Sequence, residues 1–256
     1  MSSSEVSIII GGASGIGLAT AQELSGTGDL VVIADVNAAA AAERAADIGG
    51  QSVSADVDVT SEESVSALFD HVSEKYGRPQ SVVNCAGLTI PGAIADLSLA
   101  DWNTTIGVCQ TGTFLTLKYA SRHIVDGGSI VTIASLNGRQ PAKGMAAYCA
   151  AKAAVLMLTE VAALELGERG VRVNAISPGL VDTPLVAGLS LVPGMLEDYH
   201  ENTPLGRSGK PEEIAAMVAF LLSEKAAWIT GAAFDVNGGA HTRRYPDLLK
   251  HLAAMG

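Results

Sequence analysis

This sequence predicts an α/β domain built on a doubly wound parallel sheet, on three observations. Short apolar, β-branched runs alternate with longer helical patterns along the whole chain. A glycine cluster joins the first apolar run directly to the first helical one. The length, 256 residues, suits one large domain with helices on both faces of the sheet.

The elements follow in order. Val6–Ile10 reads as a buried strand, and Gly11-Gly12-Ala13-Ser14-Gly15-Ile16-Gly17 follows it, opening a helix from about Ile16 to Ser25. Leu30–Ala34 is the next strand, with Asp35 at its end. Ser61 is a suitable N-cap for a helix to Tyr76, with Glu62 and Glu63 in its first turn. Val65, Leu68, Phe69 and Val72 give that helix one apolar face. Ser81–Val83, Ser129–Ala134, Val171–Ile176 and Ala232–Val236 read as further strands. Pro211 reads as the first residue of a late helix, with Glu212 and Glu213 behind it. Gly49-Gly50, Gly127-Gly128 and Gly238-Gly239 punctuate element ends. No repeat, low-complexity tract or linker interrupts the series, so the chain reads as a single domain.

Composition narrows the function. The chain is 48% hydrophobic with a mean hydropathy of +0.31, enough for a large core and for subunit contacts. Its net charge of −11 argues against a nucleic-acid partner and against an anionic membrane surface. Cys85, Cys109 and Cys149 are odd in number, widely spaced and without a His cluster, which argues against disulfides and a zinc site. The start of the chain, Met1 to Ser7, has no basic segment, and the apolar run after it is too short for a signal peptide or a span. The expectation is a cytoplasmic protein without a metal.

The glycine loop between a strand and a helix suits a dinucleotide. Glycines let the backbone approach a pyrophosphate, which the helix N-terminus stabilises. Asp35, eighteen residues after Gly17, can accept from ribose hydroxyls and would repel a 2′-phosphate. No Lys or Arg stands in the loop or beside Asp35, which favours NAD over NADP. The plainer role for Asp35 is to cap the turn after its strand. Tyr148 and Lys152, four apart on a helix, point the same way. A cation about 4 Å from a phenol is worth about 4 kcal/mol near a protein surface, enough to make a phenol a usable proton acceptor.

With these pieces placed, the chain resembles the short-chain dehydrogenase/reductase family over nearly its full length. The resemblance rests on Gly11-x3-Gly15-x-Gly17, Asn84-Cys85-Ala86-Gly87, Ser135 thirteen residues before Tyr148, Asn174 through Pro178-Gly179 to Thr183, and Ile229-Thr230-Gly231 through Asn237-Gly238-Gly239. It implies a Rossmann-like fold and assigns roles to individual positions. Tyr148 would be the general acid/base, Lys152 would hold the ribose, and Ser135 would hydrogen-bond the substrate oxygen. Gly11, Ser14, Gly15, Ile16 and Gly17 would cradle the dinucleotide. Asp58, with Val59, would contact adenine; Asp56, two residues earlier on the same strand face, competes for that role. Asn84, Ala86 and Gly87 would line the ribose side. Pro178, Gly179, Val181 and Thr183 would hold the carboxamide.

Three positions depart from the family pattern. Ile10 stands where Thr is usual, and Cys85 where a second Asn is usual. Cys109 falls where the family has a catalytic Asn. Either the local main-chain carbonyl still supports the proton path, or the relay is rerouted or slower. Gln110, next along the helix, should not replace it.

The reaction expected from these residues is reversible, NAD-dependent oxidation of a secondary alcohol to a ketone, with Tyr148 as the base. A 3-oxoacyl or hydroxysteroid reductase or dehydrogenase is the alternative within the class. A non-catalytic NAD(H)-sensing module is the alternative outside it, favoured by Cys109 alone. A sugar-nucleotide epimerase or dehydratase would need a separate substrate domain, for which the chain has no room.

A substrate lid is expected at about 184–210. Leu185, Val186, Leu189, Leu191, Val192, Met195 and Leu196 would form either an apolar pocket or an ordinary packed segment. Leu136, Met145 and Leu180 lie near catalytic positions and are apolar, so a small uncharged substrate is expected. Arg207 and Lys210 read as solvated or structural rather than as substrate cations. The tail from His241 reads as a subunit contact or a frayed helix, and the resemblance implies a homotetramer. His71, His123, His200 and His251 are scattered, and no chemistry is assigned to them.

Overall fold

The computed structural model describes residues 5–253. The chain runs β1 (Val6–Ile10), α1 (Gly15–Ser25), β2 (Leu30–Asp35), α2 (Ala38–Ile48), β3 (Val53–Asp56), α3 (Glu62–Tyr76) and β4 (Ser81–Asn84). It continues through α4 (Leu99–Ile106), a π-turn (Gly107–Thr111), α5 (Gly112–His123), β5 (Ser129–Ile133), α6 (Ala146–Leu166) and β6 (Arg172–Pro178). After a 3-10 segment, Pro184–Leu191, come α7 (Met195–Glu201), α8 (Pro211–Leu222), β7 (Ala233–Val236) and α9 (Leu248–Ala253).

The strands form one parallel sheet in the order β3-β2-β1-β4-β5-β6-β7. The six strands predicted from sequence are present, with ends that move by one or two residues. β3 is signalled in the sequence only through the family resemblance at Asp58-Val59. It is a short edge strand, Val-Ser-Ala-Asp, with alternating exposure and no apolar run.

Side chains on successive strand residues point to opposite faces, so β1 feeds two cores. Ile8 and Ile10 pack on one face with Phe69 of α3, Leu117 of α5 and Ala163 of α6. Ile9 packs on the other with Leu24 of α1 and with Ile214 and Val218 of α8. Each such buried side chain stabilises the fold by about 1.5–3 kcal/mol relative to exposure. α6 is long and apolar enough to cross a membrane by length and composition. Here it packs on the sheet through Val155, Leu156 and Ala163.

Local signals hold at the helix starts. Ser61 Oγ accepts from Ser64 N at 3.2 Å, and Pro211 is the first residue of α8. Strand order reverses direction at β1 and β4, which opens a crevice beyond their carboxyl ends.

Candidate active site

Two adjoining cavities of about 360 Å³ each occupy that crevice. The first is lined by the glycine loop, Asp35, Asp58, Val59, Ala86 and Gly87. Gly11 has φ +73°, and a Cβ there would stand 2.8 Å from the amide nitrogen of Ala86. The loop therefore closes directly on the turn after β4. Ser14 is the N-cap of α1 and makes no side-chain capping bond, so it leaves the first amides of that helix open to the cavity rim. Ile10, where the family usually has Thr, lines the cavity, and its side chain offers no hydrogen bond.

Asp35 braces the glycine loop and caps the turn after its strand. Oδ2 accepts from Ala13 N and Oδ1 from Asn37 N, each at 3.0 Å. Each carboxylate oxygen retains a lone pair, and the side chain lines the cavity. Between the competing aspartates, Asp58 lines the cavity and Asp56 does not. The shared strand face expected for them is corrected: β3 ends at Asp56, so alternation does not carry on to Asp58. Asp58 Oδ1 accepts from the amide and hydroxyl of Thr60, which hold its carboxyl below the ordinary range.

Asn84, expected on the ribose side, reaches neither cavity wall. It is 2% exposed and is spent inside the fold. Its Nδ2 donates to Thr113 Oγ1 at 3.0 Å and its Oδ1 accepts from Ala86 N at 3.2 Å. Cys85 lines both cavities, and burial pushes its thiol up to about 12, partly offset by the Lys152 ammonium.

The second cavity holds Ser135, Tyr148 and Lys152, together with Pro178, Gly179, Val181 and Thr183. Ser135 follows β5, and its Oγ accepts from Asn137 N at 3.1 Å. The hydroxyl proton stays free to donate. Lys152 is 3% exposed, and its Nζ donates to Ile133 O at 2.7 Å. The same Nζ lies 5.6 Å from the centre of the Tyr148 ring. Gly138 sets this arrangement, because a Cβ there would stand 2.8 Å from the Lys152 carbonyl. Its missing side chain lets the turn after Ser135 press against α6. Nothing in the local sequence marked Gly138 for that role.

The lid is mixed. Leu185, Val186, Leu189 and Val192 line the cavity, as do Leu136, Met145 and Leu180. Met195 is fully buried in a small satellite core, while Leu191 is 76% exposed. Arg207 and Lys210 line neither cavity. Arg207 forms a two-pronged pair with Glu213 at 2.8 and 2.6 Å, which holds the Glu213 carboxyl down to about 2.

The tail packs back onto its own chain instead of fraying. Tyr245, Pro246 and Leu248 line the second cavity. Tyr245 Oη meets Tyr199 Oη of α7 at 2.9 Å, and burial pushes both phenols above their usual range. Asp198 of α7 accepts from Arg244 and from His251 Nε2, at 2.5 and 3.0 Å. Tail and α7 are thereby joined, and His251 is part of the joint.

The chain is similar to known dehydrogenases and reductases. Residues 11–241 match a family model described as enoyl-(acyl carrier protein) reductase. A 2,5-dichloro-2,5-cyclohexadiene-1,4-diol dehydrogenase from Sphingobium indicum is 39% identical over 92% of this chain and 95% of its own. A cis-4-hydroxycyclohexanecarboxylate dehydrogenase from Sinomonas cyclohexanicum is 40% identical over 91% of this chain and 95% of its own. A solved short-chain type dehydrogenase/reductase from Mycobacterium ulcerans superposes with a TM-score of 0.94 at 36% identity, covering 98% of this chain and 94% of the other.

Proposed function

The chain belongs to the short-chain dehydrogenase/reductase family, and from that premise we propose that it oxidises a neutral secondary alcohol to a ketone, reversibly, with NAD. One observation carries this reading. Gly87, Thr183 and Cys85 line both cavities, so a dinucleotide lying along the glycine loop ends beside Ser135, Tyr148 and Lys152.

The cofactor cavity fits NAD. Its lining contains no Lys or Arg to neutralise a 2′-phosphate, and Asp35 offers acceptors at the ribose end. Bound there, the nicotinamide supplies a hydride acceptor for the carbinol hydrogen. Ser135 donates to the substrate oxygen and fixes its position. Tyr148 takes the hydroxyl proton at its phenolic oxygen, a contribution of about 10²–10⁴ in rate. Lys152, held by Ile133, places positive charge beside that phenol.

The wall of the substrate cavity favours an uncharged substrate. Its cations are Lys152, committed to the reaction, and Arg244, already paired with Asp198. An anionic substrate would find no free counter-charge among the described lining residues. We also propose a cytoplasmic homotetramer. Met157, Val161 and Leu164 recur along the outer face of α6 at 58%, 43% and 83% exposure, an apolar stripe suited to a second subunit.

The test is absorbance at the NADH band with NAD⁺ or NADP⁺ and a panel of alcohols. Neutral cyclic or linear alcohols with NAD⁺ should give signal, with 3-hydroxy acids far weaker. Preference for hydroxy acids, or for NADP⁺, would contradict the corresponding part of the reading.

A further inference from the structure

We infer that the Cys109 thiol is a positioning residue that pins the wall shared by the two cavities; the kinetic half of its test rests on the oxidoreductase reading above. The wall is the irregular segment Gly87–Pro91 after β4. Gly87 lines both cavities, Leu88 the cofactor side, and Thr89 and Pro91 the substrate side. Among the described residues, this segment's hydrogen bonds to the rest of the fold both go to Cys109. Leu88 N donates to Cys109 Sγ at 3.4 Å, and the thiol donates to Leu88 O at 3.2 Å. A thiol has one donor and one acceptor, so a single side chain serves both main-chain groups of Leu88.

The pin is itself anchored. Cys109 is fully buried in the π-turn between α4 and α5. Its carbonyl accepts from Thr113 Oγ1 at 2.7 Å, and that hydroxyl accepts from Asn84 Nδ2 at 3.0 Å. The end of β4, the π-turn and the wall thus form one closed circuit. Thiol hydrogen bonds are weak in water, but no water competes in a fully buried site. The circuit faces the reacting groups: the point where a Cβ on Gly87 would sit is 3.6 Å from Lys152 Nζ and 3.9 Å from Cys109 Sγ. Any shift of the wall therefore moves it against the ammonium and along the line where cofactor and substrate meet. Cys109 acts through the wall and touches neither substrate nor cofactor.

The experiment compares Cys109→Ala, Cys109→Ser and Cys109→Asn with the unaltered protein. Two quantities are read: amide exchange at Leu88, and kcat and KM for NAD⁺. In Cys109→Ala, Leu88 should exchange about tenfold faster while the β4 amides keep their protection, the factor expected for one lost hydrogen bond. KM for NAD⁺ should rise by a similar factor. Cys109→Asn, whose amide carries both donor and acceptor, should restore both quantities. Cys109→Ser, with a shorter bond, should fall between; the comparison of Ser with Asn decides if the Ala variant does not fold. Unchanged Leu88 exchange, or Asn as impaired as Ala, would overturn the inference. If the unaltered protein turns over no alcohol, the oxidoreductase reading fails and the exchange result alone decides the pin.

Discussion

Lys152 Nζ donates a 2.7 Å hydrogen bond to the carbonyl of Ile133, the last residue of β5. The bond ties the helix carrying Tyr148 to the strand that delivers Ser135 two residues later. Replacing Lys152 with Met keeps most of the stem but leaves that carbonyl without its partner. The expected cost is about 1–3 kcal/mol of stability. Turnover should fall at least about a hundredfold as the charge beside Tyr148 disappears. Urea unfolding and kcat check this together; unaltered values of both would refute the joint role.

Asp35, proposed as the cofactor selector, also braces Ala13 and Asn37 with its two oxygens. Asp35→Ser should narrow the ratio of catalytic efficiencies for NAD⁺ over NADP⁺. It should also raise KM for both cofactors, since the glycine loop loses a brace. The check is kcat/KM with each cofactor. An unchanged ratio would remove Asp35 as the selector.

Leu248, in the tail, is 5% exposed and lines the second cavity. Leu248→Ala should cost about 2 kcal/mol, near the low end for a buried leucine. It should raise KM for the alcohol more than KM for NAD⁺. Equal effects on the two Michaelis constants would mean that the tail does not line the alcohol's site.

The Arg207–Glu213 pair should register in the acid limb of stability. Its carboxyl is held down to about 2 from an ordinary 4.5 by Arg207. A depressed folded value stabilises the fold fully above about 4.5 and loses that contribution as pH falls toward about 2. Glu213→Gln should therefore lower Tm at pH 6, and the gap from the unaltered protein should close by pH 2. A gap independent of pH would show that the ion pair contributes nothing.

Much of this was legible because the signals are local. Tyr148 and Lys152 are four apart on one helix, Ser61 caps its own first turn, and the glycine loop lies between consecutive elements. What was missed depends on contacts distant in sequence. Gly138 is needed only because α6 returns against it. Tyr245 and Leu248 join the cavity by folding back on residues some fifty to a hundred positions earlier. Asn84 matched a binding segment, yet burial against Thr113 spends its amide inside the fold. Asp56 and Asp58 could not be separated until the end of β3 was known. Cys109 reads from sequence only as a departure from the family pattern, because its partner Leu88 lies 21 residues away.

The most direct test of the central claim is Tyr148→Phe, which removes one oxygen from the ring beside Lys152. NADH binding, followed by quenching of protein fluorescence, and the unfolding midpoint should both stay near those of the unaltered protein. Alcohol-dependent NADH formation should fall by about 10²–10⁴. Turnover within a few-fold of the unaltered enzyme would contradict Tyr148 as the proton acceptor and, with it, the mechanism built on this site.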